Sequence, residues 1–177
     1  MSCNLTAGRQ EVCKDSVGGL QGVYFINFES GSFTKNVDGE ITNLSGSTAY
    51  FYELKGTSAY TETVNSSREN GTTFFSQETT LNLKKLTNEM TTQLKLLAYG
   101  RPQMIVWTNS GDALLVGEEH GSDLTAGSIQ TGGALGDLYG YSVTMTAEEK
   151  LPAAFLSGST TSDPFANLDG QPTIVYS

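Results

Sequence analysis

Short runs of β-branched and aromatic residues, separated by turns rich in glycine and asparagine, recur along most of this chain. In Ala49–Lys55 the two tyrosines and the leucine fall on one face, and Phe, Glu and Lys fall on the other. This period of two is typical of a β-strand. Similar runs occur at Val23–Glu29, Gln103–Thr108 and Tyr139–Ala147. The pattern predicts an all-β fold, a mainly antiparallel β-sandwich or small barrel of about eight or nine strands.

One segment has the period of a helix instead. Between Met90 and Leu97, three apolar residues are spaced i, i+4 and i+7. Thr87 precedes them as an N-cap residue, and Gly100, followed closely by a proline, marks the end. The spacing predicts one flanking helix over 88–99 that packs a single apolar stripe on the sheet.

Residues 58–86 predict a long hairpin with a polar tip that contains glycine. The second strand, Thr73–Leu86, would span about 45 Å at ~3.3 Å per residue, so the hairpin either curls around a barrel or projects. We expect a single domain over 1–156 with this hairpin projecting from it, and an extended C-terminal arm or tail over 157–177. The tip, a candidate contact loop between subunits, consists of Ser66, Ser67, Arg68, Glu69, Asn70, Gly71 and Thr72.

The charge of the chain argues against a nucleic-acid-binding protein. It has 10 Lys and Arg against 19 Asp and Glu, a net charge of −9, whereas a protein that binds DNA regardless of sequence needs a basic face. The acids concentrate in the second half, where they predict a negative surface. The candidates for an acidic lumen or interface are Glu118, Glu119, Asp123, Asp137, Glu148 and Glu149.

No set of residues in the sequence predicts catalysis, a metal site or a cofactor. The single histidine, His120, has only carboxylates nearby, and a metal site requires several ligands on one face. Cys3 and Cys13 fit no zinc spacing and are expected to be reduced, although a bridge between them is possible. The sequence contains neither a nucleophile elbow nor a phosphate-binding loop. We therefore expect a protein that is not an enzyme.

The sequence also predicts where the protein is made. The N-terminal residues lack the apolar core of a secretory signal, and no apolar run approaches the ~18–20 residues of a membrane span. We therefore expect synthesis in a cytoplasm and no association with a membrane.

Several blocks of the chain resemble the tail tube (major tail) proteins of tailed bacteriophages. Together they span most of residues 13–156, as an overall pattern without a chemical signature. The blocks are 13–20 leading into VYFINF, NSSRENGTTFFS at 65–76, LLAYGRPQMIV at 96–106, EHGSDLTAGSIQTGG at 119–133 and GDLYGYSVTMTAEEKLPAAFL at 136–156.

The resemblance implies a virion structural protein, made in the cytoplasm of a bacterial host and located in the phage tail. It implies a six-fold ring of identical subunits and a stack of rings through which DNA leaves the capsid. The hairpin of residues 58–86 would then reach toward the neighbouring ring. The implied partners are further copies of the chain, other tail and neck proteins, and DNA in transient, non-specific passage.

Two other interpretations remain open at this point. The chain could form a different ring of the same particle, such as a neck, completion or head-closure protein. It could also be a β-sandwich adhesin or carbohydrate-binding module. Exposed aromatics along one edge or an acidic calcium loop would mark the second class, and a hydrolase is a distant third.

Overall fold

The structure is a computed structural model that describes residues 5, 7–11, 13–30 and 33–176. Over these residues the fold is all-β with one flanking helix, as the sequence predicts. The elements are β1 Leu20–Ile26, β2 Thr34–Lys35, β3 Ile41–Asn43, β4 Thr48–Glu53, β5 Ala59–Ser67, β6 Thr72–Lys84, α1 Asn88–Tyr99, β7 Gln103–Thr108, β8 Ala113–Val116, β9 Asp123–Gln130, β10 Gly140–Glu149, β11 Ala154–Phe155 and β12 Thr173–Val175.

The strands form two main sheets and a small ribbon. The six-stranded sheet has the order β11-β8-β7-β1-β4-β12, and the four-stranded sheet has the order β5-β6-β10-β9. All neighbours in both sheets are antiparallel except β12, which runs parallel to β4. The ribbon pairs β2 with β3. The two main sheets share an apolar core, which is the arrangement of a β-sandwich.

The central strands of the six-stranded sheet, β7 and β1, are buried on both faces. Along β1, Val23 and Phe25 point into the core shared with the four-stranded sheet. Tyr24 and Ile26 point to the opposite side, into a second apolar cluster. Successive side chains of a strand alternate between faces, so a continuous apolar run such as VYFI requires cover on both sides of the sheet.

The four-stranded sheet is buried on one face only. Along β10, Tyr141, Val143 and Met145 are buried in the shared core, whereas the alternate residues Ser142 and Thr144 are partly accessible to solvent. The regular alternation follows directly from the sequence YSVTMT, and it gives this sheet one dry and one wet face.

Helix α1 begins and ends at the predicted residues. The Thr87 side chain accepts a hydrogen bond from the backbone N–H of Met90 and caps the first turn. Leu94 and Leu97 pack with Met90 against the shared core. Gly100 has a φ of −89°, outside the left-handed region expected of a glycine at this position, and its N–H bonds to the Leu96 carbonyl. In the described part of the chain, no helix has the length and apolarity needed to cross a bilayer.

The long hairpin is present, but most of its length is anchored. β5 and β6 pair from Ala59↔Thr80 to Ser67↔Thr72. The other side of β6 is held by β10 as far as the pair Glu149↔Phe75. Only the last three β5–β6 pairs and the turn extend past β10, about 10 Å of strand at ~3.3 Å per residue.

The expected boundary at residue 156 is wrong, because the C-terminal segment 157–176 is part of the same domain. The side chain of Phe165 is 1% exposed and packs 4.9 Å from the ring of Tyr24. The indole N–H of Trp107 donates to the Thr160 carbonyl at 3.0 Å, and β12 extends the six-stranded sheet. The segment consists mostly of turns and covers the outer face of that sheet.

We predict that Phe165→Ala destabilises the protein by about 3–5 kcal/mol, the usual cost of removing a large aromatic side chain from a core. Urea unfolding followed by tryptophan fluorescence gives the free energy of unfolding. Leu135→Ala is the control, because Leu135 is fully exposed and its removal should change the value by less than about 0.5 kcal/mol. Equal effects from the two variants would contradict the position of the segment.

Candidate functional site

The wet face of the four-stranded sheet is a continuous surface of small polar residues. The pairs Ser142↔Asn82, Thr144↔Thr80 and Thr146↔Glu78 fix which side chains share it. Its charged residues are Glu78, Asp123, Glu148 and, at one end, Lys84. Its members are Ala59, Thr61, Thr63, Asn65, Phe74, Ser76, Glu78, Thr80, Asn82, Lys84, Asp123, Thr125, Ala126, Ser128, Gln130, Ser142, Thr144, Thr146 and Glu148.

The same sheet ends in two free edges. Within the described residues, β5 pairs with β6 alone and β9 pairs with β10 alone. β5 is 9 residues long and β9 is 8. Each contains one charged residue, Glu62 or Asp123, and neither contains proline or lysine. Natural edge strands are usually short, charged or interrupted to prevent pairing with other chains. β9 has one such interruption, a shift in its register with β10 between Leu124 and Ala126. The β5 edge and the remainder of the β9 edge are suited to pairing with another chain.

The predicted contact tip, residues 66–72, projects a short distance beyond one end of this sheet. Its four-residue turn spans 68–71, and Gly71 adopts a φ of +63° that favours glycine. The Asn70 backbone N–H donates to the Ser67 hydroxyl at 3.2 Å, and the hydroxyls of Ser66 and Thr73 are 3.0 Å apart. These contacts order the tip, and the structure places it beside the Glu149 end of β10.

The six predicted acids do not form one wall. Glu118 is paired with Lys35 at 2.7 Å. Glu148 lies on the wet face, and Asp123 lies at its β9 edge, 3.9 Å from Arg101. Glu119 is exposed on the loop after β8, near the same end of the sheet.

Asp137 is at the opposite end of the sheet, in the loop between β9 and β10. Its carboxylate accepts hydrogen bonds from the backbone N–H groups of Ala134 and Gly133 at 2.8 and 2.9 Å. Because these bonds favour the ionised form, the pKa of Asp137 is lowered. This acid therefore fixes a turn.

Glu149 was expected to contribute to a negative surface, but the structure buries it. The side chain of Glu149 is 5% exposed. One carboxylate oxygen accepts from the backbone N–H groups of Glu119 and His120 at 3.0 and 2.8 Å, and the other lies 2.9 Å from His120 Nδ1.

This buried carboxylate clamps the tight turn that ends β8. β8 ends at Val116, directly before this turn. Gly117 has a φ of +71°, and a Cβ there would lie 2.7 Å from the Gly121 backbone. Ligand atoms of Glu119, His120 and Glu149 lie within 4.8 Å of one another, and both oxygens of Glu149 already have partners within the protein.

Sequence reasoning missed an apolar groove between α1 and the β4–β12 edge of the six-stranded sheet. The groove consists of two adjoining cavities of about 250 and 470 Å³, and it runs from Tyr176 at one end to Phe28 at the other. Tyr50 and Tyr52 form its floor, and Leu96 lies on its helix side. The aromatic cluster at residues 50–52 was the available signal, but the sequence favours the interpretation of an ordinary sheet face. Cys13 is exposed, and Cys3 lies outside the described residues.

Comparison of the chain with protein-family models, with curated proteins and with solved structures finds no match. The residues themselves therefore carry the functional argument.

We predict that Glu149→Ala lowers the free energy of unfolding by about 1–3 kcal/mol, because two backbone donors lose a charged acceptor. The adjacent variant Glu148→Ala is the matched control and should change it by less than about 0.5 kcal/mol, since that side chain faces solvent. Chemical denaturation of both variants at neutral pH measures the difference. A clamp role for Glu149 is ruled out if the two variants are equally stable.

Proposed function

We propose that this protein is a structural subunit whose copies join their four-stranded sheets into a closed ring, and that stacked rings form a bacteriophage tail tube. The observation that carries the proposal is one sheet whose two edges pair with no further strand among the described residues and whose wet face is rich in hydroxyl groups. The resemblance to tail tube proteins supplies the six-fold symmetry and the virion as location. On this proposal the protein is not an enzyme.

The direction of the strands supports closure into a ring. In the order β5-β6-β10-β9 each strand is antiparallel to its neighbour, so β5 and β9 run in opposite directions. Rotation about a ring axis does not reverse a strand with respect to that axis. β9 of one copy and β5 of the next are therefore antiparallel where they meet, and one continuous antiparallel barrel results.

The expected dimensions suit a DNA conduit. Six copies of the four-stranded sheet make a barrel of 24 strands. With strands about 4.8 Å apart and tilted by about 40°, its backbone diameter is roughly 48 Å. Side chains of about 5 Å on each wall leave a bore of roughly 38 Å, wider than a DNA duplex.

The composition of the wet face agrees with passage of DNA without binding. Non-specific affinity for DNA comes from lysine and arginine that displace phosphate counterions. The face carries Lys84 at one end and the three carboxylates Glu78, Asp123 and Glu148. A wall of hydroxyls with so few cations makes few attractive contacts with phosphate.

We expect purified protein to form rings that are visible by negative-stain microscopy, and a proline in β9 to prevent them. Backbone N–H groups of an antiparallel strand alternate between its two sides, so one of Gly127→Pro and Ser128→Pro removes only an N–H on the open edge. That variant should keep the wild-type unfolding transition and lose rings. Rings that persist in both folded variants would exclude β9 as the joining edge.

The projecting tip supports the stacking of rings. We predict that replacing Ser66–Thr72 by Asn-Gly leaves single rings intact and abolishes tubes, because the removed turn lies beyond the last β6–β10 pair. The control is Arg68→Ser, which changes only the charge of the tip. Microscopy distinguishes rings from tubes, and normal tubes in the shortened variant would contradict the role of the tip. A wild-type protein that forms rings and never tubes favours the alternative, a neck or completion ring.

A further inference from the structure

We propose that each subunit contact in the ring includes an apolar contact beside the paired β-strands. In this contact, Leu151 and Phe155 of one copy insert into the groove between α1 and β4 of the next copy. This inference rests on the proposed ring. It assigns a role to the groove and to two exposed side chains that β-strand pairing alone leaves unused.

The groove exposes apolar side chains on a folded domain, next to the polar Glu89, Gln93 and Arg101 that also line it. Tyr50 is 38% exposed on its floor, and Leu96 is 59% exposed on its helix side. Tyr176, which is 67% exposed, lines the groove at the C-terminal edge. Contiguous apolar surface of this kind marks an interaction site more often than ordinary surface does.

The groove lies on the β9 side of the domain. Helix α1 packs beside β9, and Leu124 of β9 shares an apolar cluster with Leu94 and Leu97 of the helix. A second copy that pairs with the β9 edge therefore arrives next to the helix.

Leu151 and Phe155 lie on the opposite side, beside β5. They are 52% and 48% exposed, on the segment that leads from β10 into β11. The backbone N–H of Ala153, between them, donates to Glu62 of β5 at 3.0 Å. This bond fixes the segment to the β5 edge, so the two apolar side chains accompany β5 wherever it pairs.

The layered fold then determines the second contact. The four-stranded sheet forms one layer, and the six-stranded sheet lies about 10 Å away in the other. Pairing β5 of one copy with β9 of the next joins the first layer. In the six-stranded layer, the β11 edge of the first copy then faces the β4–β12 edge of the second. The 151–155 segment lies at the first of these edges, and the groove lies at the other. A heterologous contact of this kind uses two different surfaces of the same chain. Its apolar component lies beside the backbone hydrogen bonds between β5 and β9.

Cysteine crosslinking tests this contact directly. In a Cys3→Ser, Cys13→Ser background, Phe155→Cys and Leu96→Cys are combined in one chain and oxidised. We expect a ladder of linked subunits up to the size of the ring. The control combines Val37→Cys with Leu96→Cys, because Val37 is fully exposed on the β2–β3 turn, on the far side of the six-stranded sheet, and it should give mainly unlinked chains.

A second measurement does not depend on disulfide geometry. Leu151→Ser with Phe155→Ser should raise the protein concentration for half-maximal ring formation at least about tenfold, as measured by light scattering, whereas Val37→Ser should not change it. Both serine variants replace exposed side chains, and thermal unfolding verifies that each remains folded.

The outcomes separate this inference from the proposed function. The inference is overturned if the wild-type protein forms rings, the Phe155→Cys, Leu96→Cys variant gives no crosslinks, and the Leu151→Ser, Phe155→Ser variant assembles at the wild-type concentration. The proposed ring would then stand, and the groove would belong to a different partner. Crosslinked pairs that never extend beyond dimers also overturn it. A wild-type chain that stays monomeric at every concentration overturns both proposals.

Discussion

The six-stranded sheet must be shielded from water on both faces, and the rest of the architecture depends on this requirement. β1 and β7 send large apolar side chains to each side, and each such side chain contributes about 1.5–3 kcal/mol only when it is buried. The four-stranded sheet and helix α1 cover one face. The C-terminal segment, with Phe165 and Leu168, covers the other. A segment without regular structure is therefore as necessary to the core as any strand.

Because the six-stranded sheet carries this burial, the four-stranded sheet needs only one dry face. Its second face is released from core packing and can consist of hydroxyl-bearing side chains. Thr125 and Thr146 satisfy each other across strands, with their hydroxyl oxygens 2.9 Å apart. Long strands with uncapped edges cost a monomer some risk of aggregation. That risk becomes an advantage when each edge has a complementary edge on an identical copy.

Local patterns in the sequence were enough to predict the elements but not all of their surroundings. Helix α1 follows from Thr87 and the spacing of its apolar residues, and β10 follows from strict alternation. The position of Phe165 did not follow, because isolated apolar residues in a turn-rich segment have no period. The available signal was indirect: the unbroken apolar runs in β1 and β7 imply cover on both faces. Glu148 and Glu149 lie on opposite faces, as adjacent residues of a strand do, but which one is buried depends on a turn that folds over β10 from a distant part of the chain.

A DNA conduit need not be strongly acidic, and the wet face explains why. Dense negative charge in a low-dielectric bore would repel phosphate and oppose entry, whereas lysine or arginine would retain it. Here Glu118 is paired with Lys35, and Glu149 and Asp137 accept hydrogen bonds from backbone N–H groups of turns. Apart from Glu78, Asp123, Glu148 and Lys84, the wet face is neutral, and most of its side chains end in hydroxyl or amide groups. If copies of this sheet close into the proposed barrel, the wall interacts weakly with DNA because it is nearly uncharged, and the net charge of −9 belongs mainly to other surfaces of the subunit.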